Sequence, residues 1–205
     1  MKIAVLGGTG SMGSSVAKRL ARSNTVVIGS RDPARAKEAA LKIPGADGDD
    51  YEGASRACEA AIVAVPYPAI RQMAKLSDSL AGKLVVSVVN PMKLEGGLLR
   101  FARDSGSAAE RLAAMLPKSS VATAFNNLPF GMLEGEAAVE ADVLVAATSE
   151  EAYRKTADMV RSVRNLRPLY AGPLSEAGIV ERITPLVLNL ARLNGTPSLA
   201  TRFVS

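Results

Sequence analysis

Two hydrophobic patterns alternate along this chain: short unbroken apolar runs, and longer stretches with apolar residues at helical spacing. Ile3-Ala4-Val5-Leu6 is the first run, and Thr25 to Gly29, Ala61 to Val65, Leu84 to Val89, Ser120 to Ala124, Asp142 to Ala147 and Arg167 to Gly172 follow it. Several are apolar on both faces, as expected of strands in a parallel sheet covered by helices on both sides. Helical spacing links Val16, Ala17 and Leu20, then Ala36, Ala39, Ala40 and Ile43, and predicts further helices near 70–80, 108–116 and 150–163. Asp32 and Pro33 read as the cap and first residue of the second helix. Residues 46–60 are acidic and weakly patterned, which suggests a short edge strand and a helix ending near Cys58. After Asn90-Pro91-Met92-Lys93 a glycine-containing loop is expected. A last helix runs through Ile179, Val180, Ile183, Leu186, Val187, Leu190 and Leu193, with Pro185 expected to kink it and Asn194-Gly195 to stop it.

The first run breaks into Gly7-Gly8-Thr9-Gly10-Ser11-Met12-Gly13, so a strand, a Gly8-x-Gly10-x-x-Gly13 turn and a helix follow in order. That is the order of a dinucleotide-binding βαβ unit. Gly8 is assigned the tight turn, Gly10 the close approach to a pyrophosphate, and Gly13 the packing of helix on strand. The fold class is therefore α/β, a doubly wound, mostly parallel Rossmann sheet with a small C-terminal α/β elaboration ending in the long helix. The division expected is a dinucleotide-binding domain over 1–147 and a small domain over 148–205 that closes the cofactor cleft.

An acidic residue at the end of the second strand would accept hydrogen bonds from the adenosine ribose and repel a 2′-phosphate. Here the positions read Ser30 and Arg31, with Arg35 one helical turn on, so NADP is selected over NAD. Ligands of open α/β sheets bind outside the carboxyl ends of the strands. Three of those ends are marked by proline, at Val65-Pro66, at Asn90-Pro91 and at Asn126-Asn127-Leu128-Pro129, and they are expected to converge on the nicotinamide.

Composition removes alternatives. The chain of 205 residues has no histidine, which excludes His-based acid or base catalysis, Ser-His-Asp triads and His-containing metal sites. No tyrosine has a lysine four residues later and no P-loop occurs. A lone cysteine, Cys58, reads as helical filler. The net charge of +5 is spread along the chain and only eight aromatics are present, so small anionic ligands are expected and nucleic acid is not. No leader and no apolar run of membrane-spanning length is seen, and a cytoplasmic location is expected. What remains is a nicotinamide site with no catalytic side chain and no metal, suited to hydride exchange with a second redox cofactor.

The blocks Leu6 to Gly13, Gly29-Ser30-Arg31, Val65-Pro66, Leu166 to Ser175, Val180 to Leu190 and Asn194-Gly195 together resemble the coenzyme F420-dependent NADP oxidoreductases over nearly the whole chain. The resemblance implies an NADPH-dependent F420 reductase, a homodimer, in which the deazaflavin meets the nicotinamide face to face. It implies that Thr9, Ser11 and Met12 hold the pyrophosphate and that Ser30, Arg31 and Arg35 hold the 2′-phosphate. Val65, Pro66, Asn90, Pro91 and Asn126 to Pro129 would border the rings, and the helix around Thr184 to Leu188 would close the cleft. Some relatives carry histidine in the segment that reads Ala124-Phe125-Asn126-Asn127 here, so Asn126 replaces it or its hydrogen bond is lost. Two alternatives are a reductase of a flavin or small imine on the same fold, and a non-catalytic NADP(H) sensor.

Overall fold

The computed structural model describes residues 1–102, 106–135 and 139–204. One sheet of eight strands carries the molecule: β1 (Lys2–Leu6), β2 (Thr25–Ser30), β3 (Asp47–Asp50), β4 (Ala60–Val63), β5 (Leu84–Ser87), β8 (Ser120–Thr123), β9 (Ala141–Ala147) and β10 (Leu166–Pro173), in the order β10-β9-β8-β5-β4-β1-β2-β3. Every neighbouring pair is parallel except β8 and β9, which run antiparallel. The sheet thus continues across residue 147, since β10 pairs along the whole of β9.

Alternation along the strands feeds two cores. Ile3, Val5, Val26, Ile28, Ile62 and Val86 face one side, where they meet α1 (Ser11–Leu20), α2 (Pro33–Ala40) and α6 (Glu150–Arg161). Ala4, Leu6, Val27, Val63, Val85 and Val121 face the other, under α3 (Tyr51–Ala57), a 3₁₀ helix (Tyr67–Leu76) and α4 (Ala108–Met115). Both sides of a parallel sheet must be covered because neither carries polar groups that water could satisfy. A short α5 (Phe130–Glu134) packs on α1 and is tied to it by Arg19, whose guanidinium donates to the carbonyls of Leu133 and Met132.

Two expectations need correction. The loop after Pro91 is a β-hairpin, β6 (Met92–Glu95) and β7 (Leu98–Phe101), which forms a separate two-stranded sheet. Gly96 and Gly97 turn it with φ of 58° and 77°, the pair of positive angles a tight two-residue turn needs. The helix expected near 70–80 starts earlier, at Tyr67, and is a 3₁₀ helix. The last helix, α7 (Ala177–Leu193), runs as expected to Asn194 and contains Pro185, which has no N–H to give the carbonyl of Glu181.

Candidate functional site

The loop after β1 is shaped by backbone contacts that leave no room for side chains. Gly7, with φ of 90°, makes the tight turn assigned above to Gly8, and a Cβ there would lie 2.7 Å from the Ala64 carbonyl oxygen. Gly8 is packed against the Val5 carbonyl and Ile28. A Cβ on Gly13 would lie 2.4 Å from the Gly7 oxygen, so its absence lets α1 start directly on the loop. Gly10 caps α1 with no side-chain bond, a Cβ there would lie in ordinary contact with the Gly7 oxygen at 3.5 Å, and no acidic residue lies in the first turn. The first backbone N–H groups of a helix have no helical acceptor, and with the dipole they form an anion site.

Beside this helix start lies a cleft of about 480 Å³ lined by Thr9, Gly10, Ser30, Arg31, Arg35 and Tyr51 among others. Both arginines are exposed, and neither makes an ion pair among the described residues. The nearby carboxylate of Asp32 is otherwise engaged, accepting the N–H groups of Ala34 and Arg35 as the cap of α2. Burial pushes the Tyr51 phenol up against the opposing charge of Arg31, which lines the same cleft.

The second cavity, about 370 Å³, shares Gly10, Ala64, Val65 and Pro66 with the first, so the two form one groove passing over the start of α1. Its walls are Ser11, Met12, Tyr67, Val88, Val89, Asn90, Met92, Asn126, Leu128, Pro129, Phe130, Thr184 and Leu188. Among the described residues Tyr67 is its sole titratable lining residue. The floor is a network of amides. Asn126 donates to the Val89 carbonyl (3.2 Å) and to Asn90 Oδ1 (3.3 Å), and Asn90 donates back to the Asn126 carbonyl (3.1 Å). Thr123 donates its hydroxyl to Asn126 Oδ1, and Thr184 of α7 donates to the Asn126 carbonyl at 2.6 Å. Phe125, buried at the end of β8, takes φ of 61°, a conformation that costs a non-glycine residue about 1–3 kcal/mol and is held here by that network.

Of the residues singled out in the sequence, the structure brings Thr9, Gly10, Ser11, Met12, Ser30, Arg31, Arg35, Val65, Pro66, Asn90, Asn126, Leu128 and Pro129 to the groove. Gly8, Gly13 and Pro91 are buried behind it. Asn127 points elsewhere: its amide donates to the Asp142 carbonyl and to Thr201 Oγ1, both at 2.6 Å, and accepts the N–H of Leu144. It fills the gap where β8 and β9 part, and has no polar atom left for a ligand. Tyr67, Met92 and Phe130 were not foreseen, because each lies just beyond a proline or asparagine turn whose direction no periodicity sets.

Away from the groove, Glu181 of α7 is fully buried and accepts the Ser107 hydroxyl and the N–H groups of Ala108 and Ala109, capping α4 from another helix. Desolvation pushes its pKa up to about 7 against the pull of those donors. Among the described residues no helix is long and apolar enough to cross a membrane.

Comparison with known proteins gives the family. Residues 2–91 match the family model described as NADP oxidoreductase, coenzyme F420-dependent. The F420-dependent NADP reductase of Methanocaldococcus jannaschii is 35% identical over 206 residues, covering 93% of this chain and 92% of the relative. That of Methanothermobacter thermautotrophicus is 37% identical with 93% and 89% covered. A solved candidate F420-dependent NADP-reductase from an Arthrobacter species superposes with a TM-score of 0.87 over the full length of both chains, and at 22% identity it shows the shared fold.

Proposed function

The chain belongs to the coenzyme F420-dependent NADP oxidoreductases, and from that premise we propose that its groove carries hydride between NADP(H) and F420. One observation supports this reading above the others. Among the described residues, the inner cavity joins a cleft bearing two arginines without ion-pair partners, yet presents Tyr67 as its only titratable side chain. A site without a charged acid or base suits two cofactors that supply the reactivity themselves, while the protein sets distance and excludes water.

In this reading the start of α1, with Thr9, Ser11 and Met12, takes the pyrophosphate, and Ser30, Arg31 and Arg35 take the 2′-phosphate. Val65, Pro66, Asn90, Asn126, Leu128 and Pro129 border the rings. The segment 148–205 closes the cleft through Thr184 and Leu188 of α7. Asn126 stands in the strand-end segment where some relatives carry histidine, but its side chain is committed to the floor, so it acts by holding shape. The protein is further taken as a cytoplasmic homodimer without a nucleic-acid partner. The exposed Ile179, Leu186, Leu190 and Leu193 along α7 support the dimer.

The test is to mix purified protein with NADPH and F420 and follow the deazaflavin absorbance. Bleaching matched one to one by NADPH oxidation is expected. Reduction of a flavin or an imine in place of F420, or tight NADPH binding with no turnover, would overturn the reading.

A further inference from the structure

The β6–β7 hairpin is a sheet of its own, and no residue of either strand is buried. A two-stranded ribbon of that kind is marginal in water, so what it leans on decides where it sits. It leans on α7, and the attachments are polar. Asn189 accepts the Leu99 N–H at 2.9 Å and donates to the Leu99 carbonyl at 2.7 Å. One amide thus satisfies both backbone groups that the edge strand β7 turns outward, as a neighbouring strand would. Arg192, about one turn on, donates to the Gly97 carbonyl at the hairpin tip. The Arg182 guanidinium, about two turns back, lies 4.8 Å over the ring of Phe101.

The hairpin also supplies part of the wall of the inner cavity. Met92, the first residue of β6, lines it together with Thr184 and Leu188 of α7. In the hairpin register Met92 pairs with Phe101 and Leu94 with Leu99, so fixing β7 fixes the place of Met92. Asn189 follows Leu188 directly but does not itself line the cavity. The helix that forms one part of the wall therefore fastens the element that carries another.

We infer that Asn189 is a positioning residue for the second substrate: by clamping the hairpin to α7 it keeps Met92 in the wall of the cavity that takes that substrate's ring. The inference rests on the hydride site proposed above. Amide hydrogen exchange of the ligand-free protein reads the clamp without any substrate. Asn189→Leu, which keeps the volume and removes both bonds, should speed exchange at the Leu99 amide by about tenfold or more. In steady state the same variant should raise KM for F420 by about tenfold and change kcat by about twofold at most, the pattern of lost uniform binding, with NADPH affinity and thermal unfolding near wild type. Met92→Ala should raise the same KM. Adding Asn189→Leu to it should raise KM no further, because the clamp acts through that side chain. An unchanged KM beside faster exchange, or additive effects of the two substitutions, overturns the positioning role. Unchanged exchange overturns the clamp, and a parallel loss of NADPH affinity and Tm makes Asn189 a folding residue and overturns the inference as well. Failure of the wild type to reduce F420 removes the hydride site and the positioning role with it, while the exchange result still decides how the hairpin is held.

Discussion

Arg31 and Arg35 illustrate how a local competition decides a preference. Asp32 lies between them in sequence and lines the same cleft, but its Oδ1 accepts the N–H groups at the start of α2 and pairs with neither arginine among the described residues. In the proposed reading both guanidinium groups meet the 2′-phosphate. Arg31→Ala is expected to weaken NADPH by about 1.5–3 kcal/mol while changing NADH little, as fluorescence titration of both would show. Equal losses would remove the 2′-phosphate assignment. Such choices were legible where chemistry alone selects them. Asn126 and Asn127 were not separable in the sequence, because the positive φ of Phe125 redirects the chain and sends neighbouring amides to different tasks. Asn126→Ala takes the donor away from the Val89 carbonyl and from Asn90 Oδ1, while Thr123 keeps the Ser87 carbonyl as an acceptor. It should destabilise the protein by about 1–3 kcal/mol and lower kcat more than NADPH affinity, read by urea unfolding and steady-state kinetics.

Among the elements, strands and capped helices followed from apolar runs and from Asp32-Pro33, whereas two features depended on tertiary pairing. The hairpin carried a signal in Glu95-Gly96-Gly97-Leu98, yet its strands are half-exposed and lack a clean alternation, so a loop was the simpler reading. The cap of α4 by Glu181 joins residues more than seventy positions apart and leaves no local trace. Its burial has a measurable sign. With a native pKa of about 7 against an ordinary 4.5, the folded state binds more protons than the unfolded state between those values. Stability from this group is therefore fully present below the lower value and lost as pH rises through the upper, with a slope of at most about 1.4 kcal/mol per pH unit. Glu181→Gln abolishes that slope. Urea midpoints of wild type should fall relative to the variant across the window, and parallel curves would show that the carboxylate does not titrate there.

At the scale of the whole molecule, the weak point of the sheet is the antiparallel junction of β8 and β9, which pair at only two positions. The rest of that edge of β9 is completed from elsewhere: Asn127 bonds Asp142 and Leu144, and the Asp142 N–H donates to the carbonyl of Thr201. Asp142 is buried, takes a two-pronged bond from Arg167 at 2.6 and 2.8 Å, and accepts the Phe203 N–H, while Arg167 also donates to the Phe203 carbonyl. These bonds hold the Asp142 carboxyl below its ordinary range, so its contribution is present above that range and lost as the medium becomes acid. The tail is thus a side of the sheet, and Asn127 couples it to the turn that carries Asn126 and the floor of the inner cavity. Deleting residues 201–205 should lower Tm by roughly 5 °C, the effect of about 2 kcal/mol on a chain of this size. It should also reduce kcat while sparing NADPH affinity, because the Arg31 cleft lies beyond β1 at the opposite end of the strand order. Calorimetry with parallel NADPH titration distinguishes the outcomes: an unchanged Tm removes the tail from the sheet's stability, and a loss of NADPH affinity as large as the loss of turnover removes the coupling through Asn127.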